Sequence, residues 1–343
     1  MDPPPLRNGS RASVEVLPHF SDRDGAYVGI VLIKERFAAS RDGVVRRAGG
    51  AEVKYADELW NPKEPETSSI RLPSDMCLSK PSTDVLVLGE ARAPYRESVR
   101  QLDVQVRVGP VQKALRVFGP RAWYRGGVGR MELSPPEPFE STPIRWELAF
   151  GGSDYETDPN HPLEEPRNPV GTGLVSDPQE LIGMPGPNIE DPTDLISTHR
   201  SRPRPAGFGP IGRHWMPRRT YTGTVDEQWM EERMPLLPLD FDDRFNQASP
   251  PDQITPEPLR GGERVEVLGM HEEGAFAFDL PRLRFFVGVQ TKDALSQHPP
   301  QLDTVLLHAN DRSVELTWRS VVPLPRRAAD VRFVQVHEKE WLT

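Results

Sequence analysis

The sequence predicts a mainly β protein: antiparallel sheets, sandwich or barrel-like, with long ordered Pro/Gly-rich loops and a few short helices. Three observations carry this. Residues 102–118 alternate through two strand lengths, with Leu102, Val104, Val106 and Val108 set between Asp103, Gln105 and Arg107, then Val111, Leu115 and Val117 after a Gly109-Pro110 turn. No ten-residue helical pattern separates the apolar runs, so the crossover helices that parallel strands need are not in view. The 38 prolines among 343 residues are roughly twice ordinary usage, and proline, lacking an N–H and fixing φ, excludes long helices and central strands where it recurs.

Taken in order, residues 1–12 read as a disordered leader, rich in proline and polar groups. Residues 13–150 read as an N-terminal antiparallel β domain. Within it, the run AYVGIVLIKERF at 26–37 is dense in β-branched and aromatic types, and Arg41-Asp42-Gly43 supplies a turn before Val44 and Val45. Between Tyr55 and Pro81 the prolines and Trp60 predict a long ordered loop that returns to a strand at 84–91. The run IRWELAF at 144–150 reads as one more strand, ended by Gly151-Gly152.

Residues 151–260 form an irregular Pro/Gly/aromatic-rich segment. Its anchors Tyr155, Leu163, Val170, Leu174, Leu181, Ile182 and Ile189 argue for order over disorder. Residues 204–252 hold Phe208, Trp215, Tyr221, Trp229, Phe241 and Phe245 with neither a long helical period nor strand alternation. One short helix is expected near 225–234, with Thr224 as N-cap, Glu227 closing a capping box and Pro235 ending it. On it Val225 pairs with Trp229, and Met230 with Met234, at i, i+4. Residues 261–343 read as a C-terminal antiparallel β domain of about five short strands, either a second sheet packed with the first or the completion of the first. Asn310-Asp311 is a turn there, and 331–336 an edge strand before a polar end.

The formal net charge of −9, with Lys and Arg scattered, disfavours nucleic acid as the main partner. The start MDPPPLRNGS has no apolar export core, and no run of about 18 apolar residues occurs, so a soluble cytoplasmic protein away from the membrane is expected. A lone cysteine, Cys77, forms no internal disulfide and sits between Met76 and Leu78 like a small buried hydrophobe.

Gly207, Gly209 and Gly212 spell a G-x-G-x-x-G, but Pro210 lies inside it and no βαβ unit surrounds it, so tight turning beside Phe208 and Trp215 is the better reading. Asp240, Asp242 and Asp243 read as a solvated turn or as partners of Arg244 and Arg233 rather than cation ligands, since no EF-hand loop is present, and Glu190, Asp191 and Asp194 read as caps and turns beside proline. The eight histidines show no H-x-x-x-H pair, and no G-x-S-x-G elbow occurs, so no metal, cofactor or enzymatic activity is expected. Arg213, Arg218 and Arg219 flank Trp215 and Tyr221. That mixture suits a protein interface, and equally a core of aromatics ringed by salt bridges. The candidate partner-binding residues are Phe208, Arg213, Trp215, Arg218, Tyr221 and Trp229.

The blocks IRWELAFGG, NPVGTG at 168–173, PNIEDP at 187–192, PAGFGPIGRHWMPR at 205–218, GTVDEQWMEERMPLLPLDFD at 223–242, NQASPPDQ at 246–253 and LRGGE at 259–263 closely resemble the bacterial domain of unknown function 2169. IVLIKERF, SSIRLPSDMCLSKPSTDVLVLGEARAP at 68–94 and VRVGPVQKALRVFG at 106–119 agree, so the resemblance spans roughly residues 14–320. It implies an adaptor or chaperone of the type VI secretion system. Such a protein binds an effector through its PAAR-like tip domain and helps load it onto the valine-glycine repeat spike. The alternatives are a structural spike-tip component exported with the effector, and a hydrolase hidden in the β scaffold. The mechanism expected at this stage is burial of the effector's apolar surface against Phe208, Trp215 and their neighbours.

Overall fold

The computed structural model describes residues 3–127, 130–158, 160–325 and 330–340. Among them three sheets of four or more strands are formed. The largest runs in the order Ser13–Ser21, Tyr27–Ala39, Ser313–Pro323, Gln301–His308 and Asp84–Leu88, with Val45–Arg47 hung on the end of Tyr27–Ala39. The second runs Ile189–Glu190, Val111–Phe118, Gln101–Val108, Arg264–Leu268 and Ala275–Asp279. The third runs Leu6–Gly9, Val331–Glu340, Leu283–Thr291 and Leu295–His298. No sheet closes into a barrel.

The sequence patterns explain the strands they predict. Residues 28–35 of Tyr27–Ala39 are all buried, because this strand is central and covered on both faces, so it shows a continuous apolar run instead of alternation. One face, through Val31 and Ile33, joins the main core. The other, through Ile30 and Leu32, packs with Val53, Met76 and Leu78 of the long loop. The hairpin over Gln101–Phe118 pairs Val108 with Val111 across its turn and buries Val104, Val106, Leu115 and Val117. All three sheets feed one core, and Phe285 meets Trp318 at 4.9 Å between ring centroids, tying the third sheet to the first.

Several expectations are corrected. The leader is not disordered throughout: Leu6–Gly9 lies parallel to Val331–Glu340, and Ala12 is buried. The strand near 331–336 runs on to Glu340 and is no edge, since Leu283–Thr291 flanks its other side. The sheets are not wholly antiparallel, because Asp84–Leu88 also pairs in parallel with Gln301–His308. The first two sheets mix strands from before residue 150 with strands from after 261, so the two β segments build shared sheets. The expected strand at 144–150 is a single 3-10 turn at Trp146–Leu148 followed by the two-residue strand Phe150–Gly151. Its apolar pattern serves Trp146, which turns inward and gives its indole N–H to the Pro210 carbonyl at 3.0 Å. The turn at Asn310-Asp311 is present, with Arg312 closing it at φ 49.

Candidate functional site

The segment 204–255 first covers a sheet edge. Asp84–Leu88 would otherwise offer an open row of backbone groups. Instead, the Val87 N–H reaches the Phe208 carbonyl at 3.3 Å, and Gln253 Nε2 donates to the carbonyls of Val85 (2.8 Å) and Phe208 (2.9 Å). Asp84 accepts from the Ala248 amide at 2.9 Å. These contacts explain how so irregular a stretch stays ordered with its backbone groups satisfied.

Beneath that cover sits an aromatic wedge. Trp146 meets Trp215 edge-on at 6.0 Å and 84°, with Ile211 packed beside them. A Cβ on Gly207 would lie 3.1 Å from the Trp146 ring, and one on Gly212 would lie 2.8 Å from the Trp215 ring. The glycines of the G-x-G-x-x-G pattern thus make room for tryptophans.

The six candidate partner-binding residues divide. Phe208 and Trp215 are 1% and 2% exposed, so neither offers surface to a partner, which corrects the expectation that an effector buries itself against them. Arg218 is also interior, and donates Nε and Nη2 to the Phe245 carbonyl at 3.0 and 2.9 Å and Nη1 to the Ile211 carbonyl at 2.6 Å. Tyr221 is half-buried under the Arg244 guanidinium, 4.4 Å from its ring centre. Trp229 is half-buried and Arg213 is exposed.

From Tyr221 to Asp242 the chain leaves this cover as a closed arm. The Asp242 amide reaches the Tyr221 carbonyl at 3.0 Å, and Thr224 donates both its amide and its hydroxyl to Asp240 at 2.8 Å. Helix Glu227–Glu232 stands inside this loop. Its N-cap is Asp226, whose carboxylate accepts from the Trp229 amide at 2.8 Å. Thr224, the expected cap, lies two residues before the observed cap and its side chain is turned to Asp240 instead. The Trp229 indole N–H reaches the Leu236 carbonyl at 3.0 Å and fills the arm's inside. Arg233 fastens the arm to the body through the Arg23 carbonyl at 2.8 Å, and Arg23 pairs with Asp243 at 3.0 Å. The expected pairing of Arg244 with the acidic cluster is present at Asp242, 2.8 Å from Arg244 Nε, whereas Arg233 bonds carbonyls instead.

The arm carries a concentration of open apolar side chains. Val225, Met230, Met234 and Leu239 are 61, 55, 64 and 81% exposed, with Leu237 at 38%. Asp226, Glu227, Glu231, Glu232 and Asp240 stand among them, exposed, with Arg233 as the arm's sole basic residue. The hot-spot mixture of Arg, Trp and Tyr points to Trp215 and its neighbours, whereas the apolar side chains this segment leaves open are methionines, leucines and a valine, in a stretch dense in carboxylates and prolines. No cluster of three or more His, Cys, Asp or Glu side chains able to hold a metal occurs among the described residues. No helix among them is long and apolar enough to cross a membrane.

The family model described as an uncharacterized protein conserved in bacteria (DUF2169) matches residues 24–319. No curated protein and no solved structure matches. The matched span takes in the second sheet whole, the first sheet without Ser13–Ser21 and the end of Ser313–Pro323, the sheet-edge cover, the aromatic wedge and the arm, and the chain belongs to this bacterial family of domain of unknown function 2169.

Proposed function

We propose that the chain is a non-enzymatic adaptor or chaperone that grips a type VI secretion effector by its PAAR-like tip domain and helps load it onto the valine-glycine repeat spike. The observation that carries this reading is the arm. Exposed apolar groups collected on one braced projection mark an interaction surface, and methionine adapts its shape to irregular partners. Two of the five open apolar groups are methionines. The ring of carboxylates selects a partner with basic groups around an apolar patch and keeps the free arm in water. Membership of the family supports the assignment, through the resemblance of its sequence blocks to secretion adaptors.

Binding of this kind works by mass action. A partner whose apolar surface is covered by Met230, Met234 and Leu239 stays folded and soluble until a surface with higher affinity displaces the arm. The test is co-expression with the PAAR-containing effector, followed by size-exclusion chromatography with mass determination. Co-elution in a fixed ratio is expected, and it is lost in the double variant Met234→Asp, Leu239→Asp. Separate elution of the wild-type proteins, or undiminished co-elution of the double variant, would remove the arm from consideration.

A further inference from the structure

Arg218 is a buried cation that forms no ion pair among the described residues. Other deeply buried cations in this chain each meet a carboxylate: Lys80 meets Asp84, Arg319 meets Asp303, and Arg121 meets Glu190. Arg218 is 5% exposed, and its three nitrogens meet only the carbonyls of Ile211 and Phe245. Carbonyl dipoles hold the guanidinium in place but leave its charge uncancelled, an arrangement that costs free energy unless an anion arrives. Burial lowers its pKa to about 10 against the attraction of Asp84, and Arg213 adds a smaller repulsion.

A second side chain points to the same vacancy of charge. Gln247 is 2% exposed, and its Nε2 has no acceptor. A buried donor left unmade costs about 1–3 kcal/mol, so such groups call for a partner. Arg218 and Gln247 both line one cavity of about 240 Å³, whose other walls include Ile211, Pro217, Tyr221 and Ile254. Arg218 and Gln247 are the buried donors of this chamber, whose walls also carry Arg244 and Ser249 beside its apolar groups. At about 30 Å³ per water, the space fits one small organic group.

We propose that this cavity binds a monocarboxylate carried on a small apolar group, with the carboxylate between Arg218 and Gln247 and the apolar part against Ile211, Pro217 and Ile254. A guanidinium and an amide N–H are matched to carboxylate oxygens, and a charge-assisted bond to a buried guanidinium is among the stronger polar contacts. The proposal stands apart from the adaptor reading, since the cavity lies in the sheet-edge cover and meets the arm only at its base, at Tyr221.

The probes are N-acetyl-leucine, its neutral amide and inorganic phosphate, each titrated by calorimetry into the full chain at constant ionic strength. Saturable binding of the acid alone is expected. Gln247→Glu places a carboxylate beside Arg218 from within. It is expected to raise the melting temperature and to weaken the acid by roughly tenfold or more. Gln247→Leu, which removes the donor without adding charge, is expected to weaken it less while keeping the wild-type circular dichroism. A tetrapeptide with a free C-terminal leucine separates the sources. Tighter binding than the free acid indicates a protein terminus, and equal binding indicates a small molecule. No saturation by the acid up to about 10 mM, equal binding of the amide, tighter binding of phosphate, or unchanged affinity in Gln247→Glu would each overturn the assignment.

Discussion

Thr224 and Asp240 close the neck of the arm by two bonds of 2.8 Å, from the threonine amide and hydroxyl to the two carboxylate oxygens. The Asp242 amide to the Tyr221 carbonyl is the next rung. The Thr224 amide and hydroxyl hold the Asp240 carboxyl below the usual carboxylate range. Its contribution is therefore present above the ordinary aspartate value and is lost as pH falls through the lowered one. Asp240→Ala is expected to speed chymotryptic cleavage between 223 and 240 severalfold while leaving the melting temperature of the sheets nearly unchanged. An unaltered cleavage rate would show that the neck is held elsewhere.

The open apolar residues of the arm and the buried aromatic wedge should respond oppositely to substitution. Leu239→Asp is expected to change stability by no more than about 0.5 kcal/mol, as surface changes do. Trp215→Ala removes a ring packed on Trp146 and Ile211 and is expected to cost about 3–5 kcal/mol in urea denaturation. A loss below about 1 kcal/mol would mean that the wedge is not packed as described. Partner binding lost in Trp215→Ala would report unfolding, so the arm variants are the ones to read for function.

Lys80, Asp84, Asp303 and Arg319 form a buried network between the first sheet and the loop before it. Lys80 Nζ lies 2.9 Å from Asp84 and 2.8 Å from the Thr304 hydroxyl, and Arg319 also donates to the Asp75 carbonyl at 2.9 Å and the Cys77 carbonyl at 2.7 Å. Lys80→Met leaves Asp84 charged and without its cation, and is expected to cost about 3–5 kcal/mol by chemical denaturation. A neutral outcome would mean that Asp84 is held adequately by the Ala248 and Ser249 amides alone.

The same network sets a pH window. Burial would lower the Lys80 pKa, but Asp84 and Asp303 outweigh it and raise the value. Its stabilising contribution is complete below the ordinary lysine value, about 10.4, and is lost as pH rises through the raised one. Burial would raise the Asp303 pKa, but Arg319 and Lys80 outweigh it and lower the value. That contribution is complete above the ordinary aspartate value, about 3.9, and is lost as pH falls through the lowered one. The melting temperature is expected to stay flat between these limits as far as this network is concerned. Lys80→Met should shrink its alkaline fall, and an identical alkaline limb in the variant would detach Lys80 from it.

Cys77 is buried, and burial pushes its thiol pKa up. The thiolate is the reactive form, so iodoacetamide is expected to leave the native protein unlabelled at mildly alkaline pH and to label it fully in urea. Rapid native labelling would show that the loop over 74–82 opens.

The reading from sequence succeeded where neighbours along the chain decide the outcome. The hairpin around Gly109-Pro110 and the turn at Asn310-Asp311 follow from local alternation and turn chemistry, and Cys77 between Met76 and Leu78 is buried as its neighbours imply. It failed where a distant partner decides. IRWELAF has the composition of a strand, yet Trp146 is claimed by Pro210 and Trp215, more than sixty residues on. Thr224 has the side chain of an N-cap, yet it is turned to Asp240, sixteen residues on, and Asp226 caps instead.

By itself, then, the sequence determined a β-rich chain with an ordered, proline-rich middle, because period, propensity and turn preference act within a few residues. Only the tertiary structure decided that Leu6–Gly9 pairs with Val331–Glu340, that Phe208 and Trp215 face inward, and that Met230, Met234 and Leu239 face out. Strand pairing and burial are contests among all residues that can reach one place. Local pattern names the competitors, and the packed fold settles which of them wins.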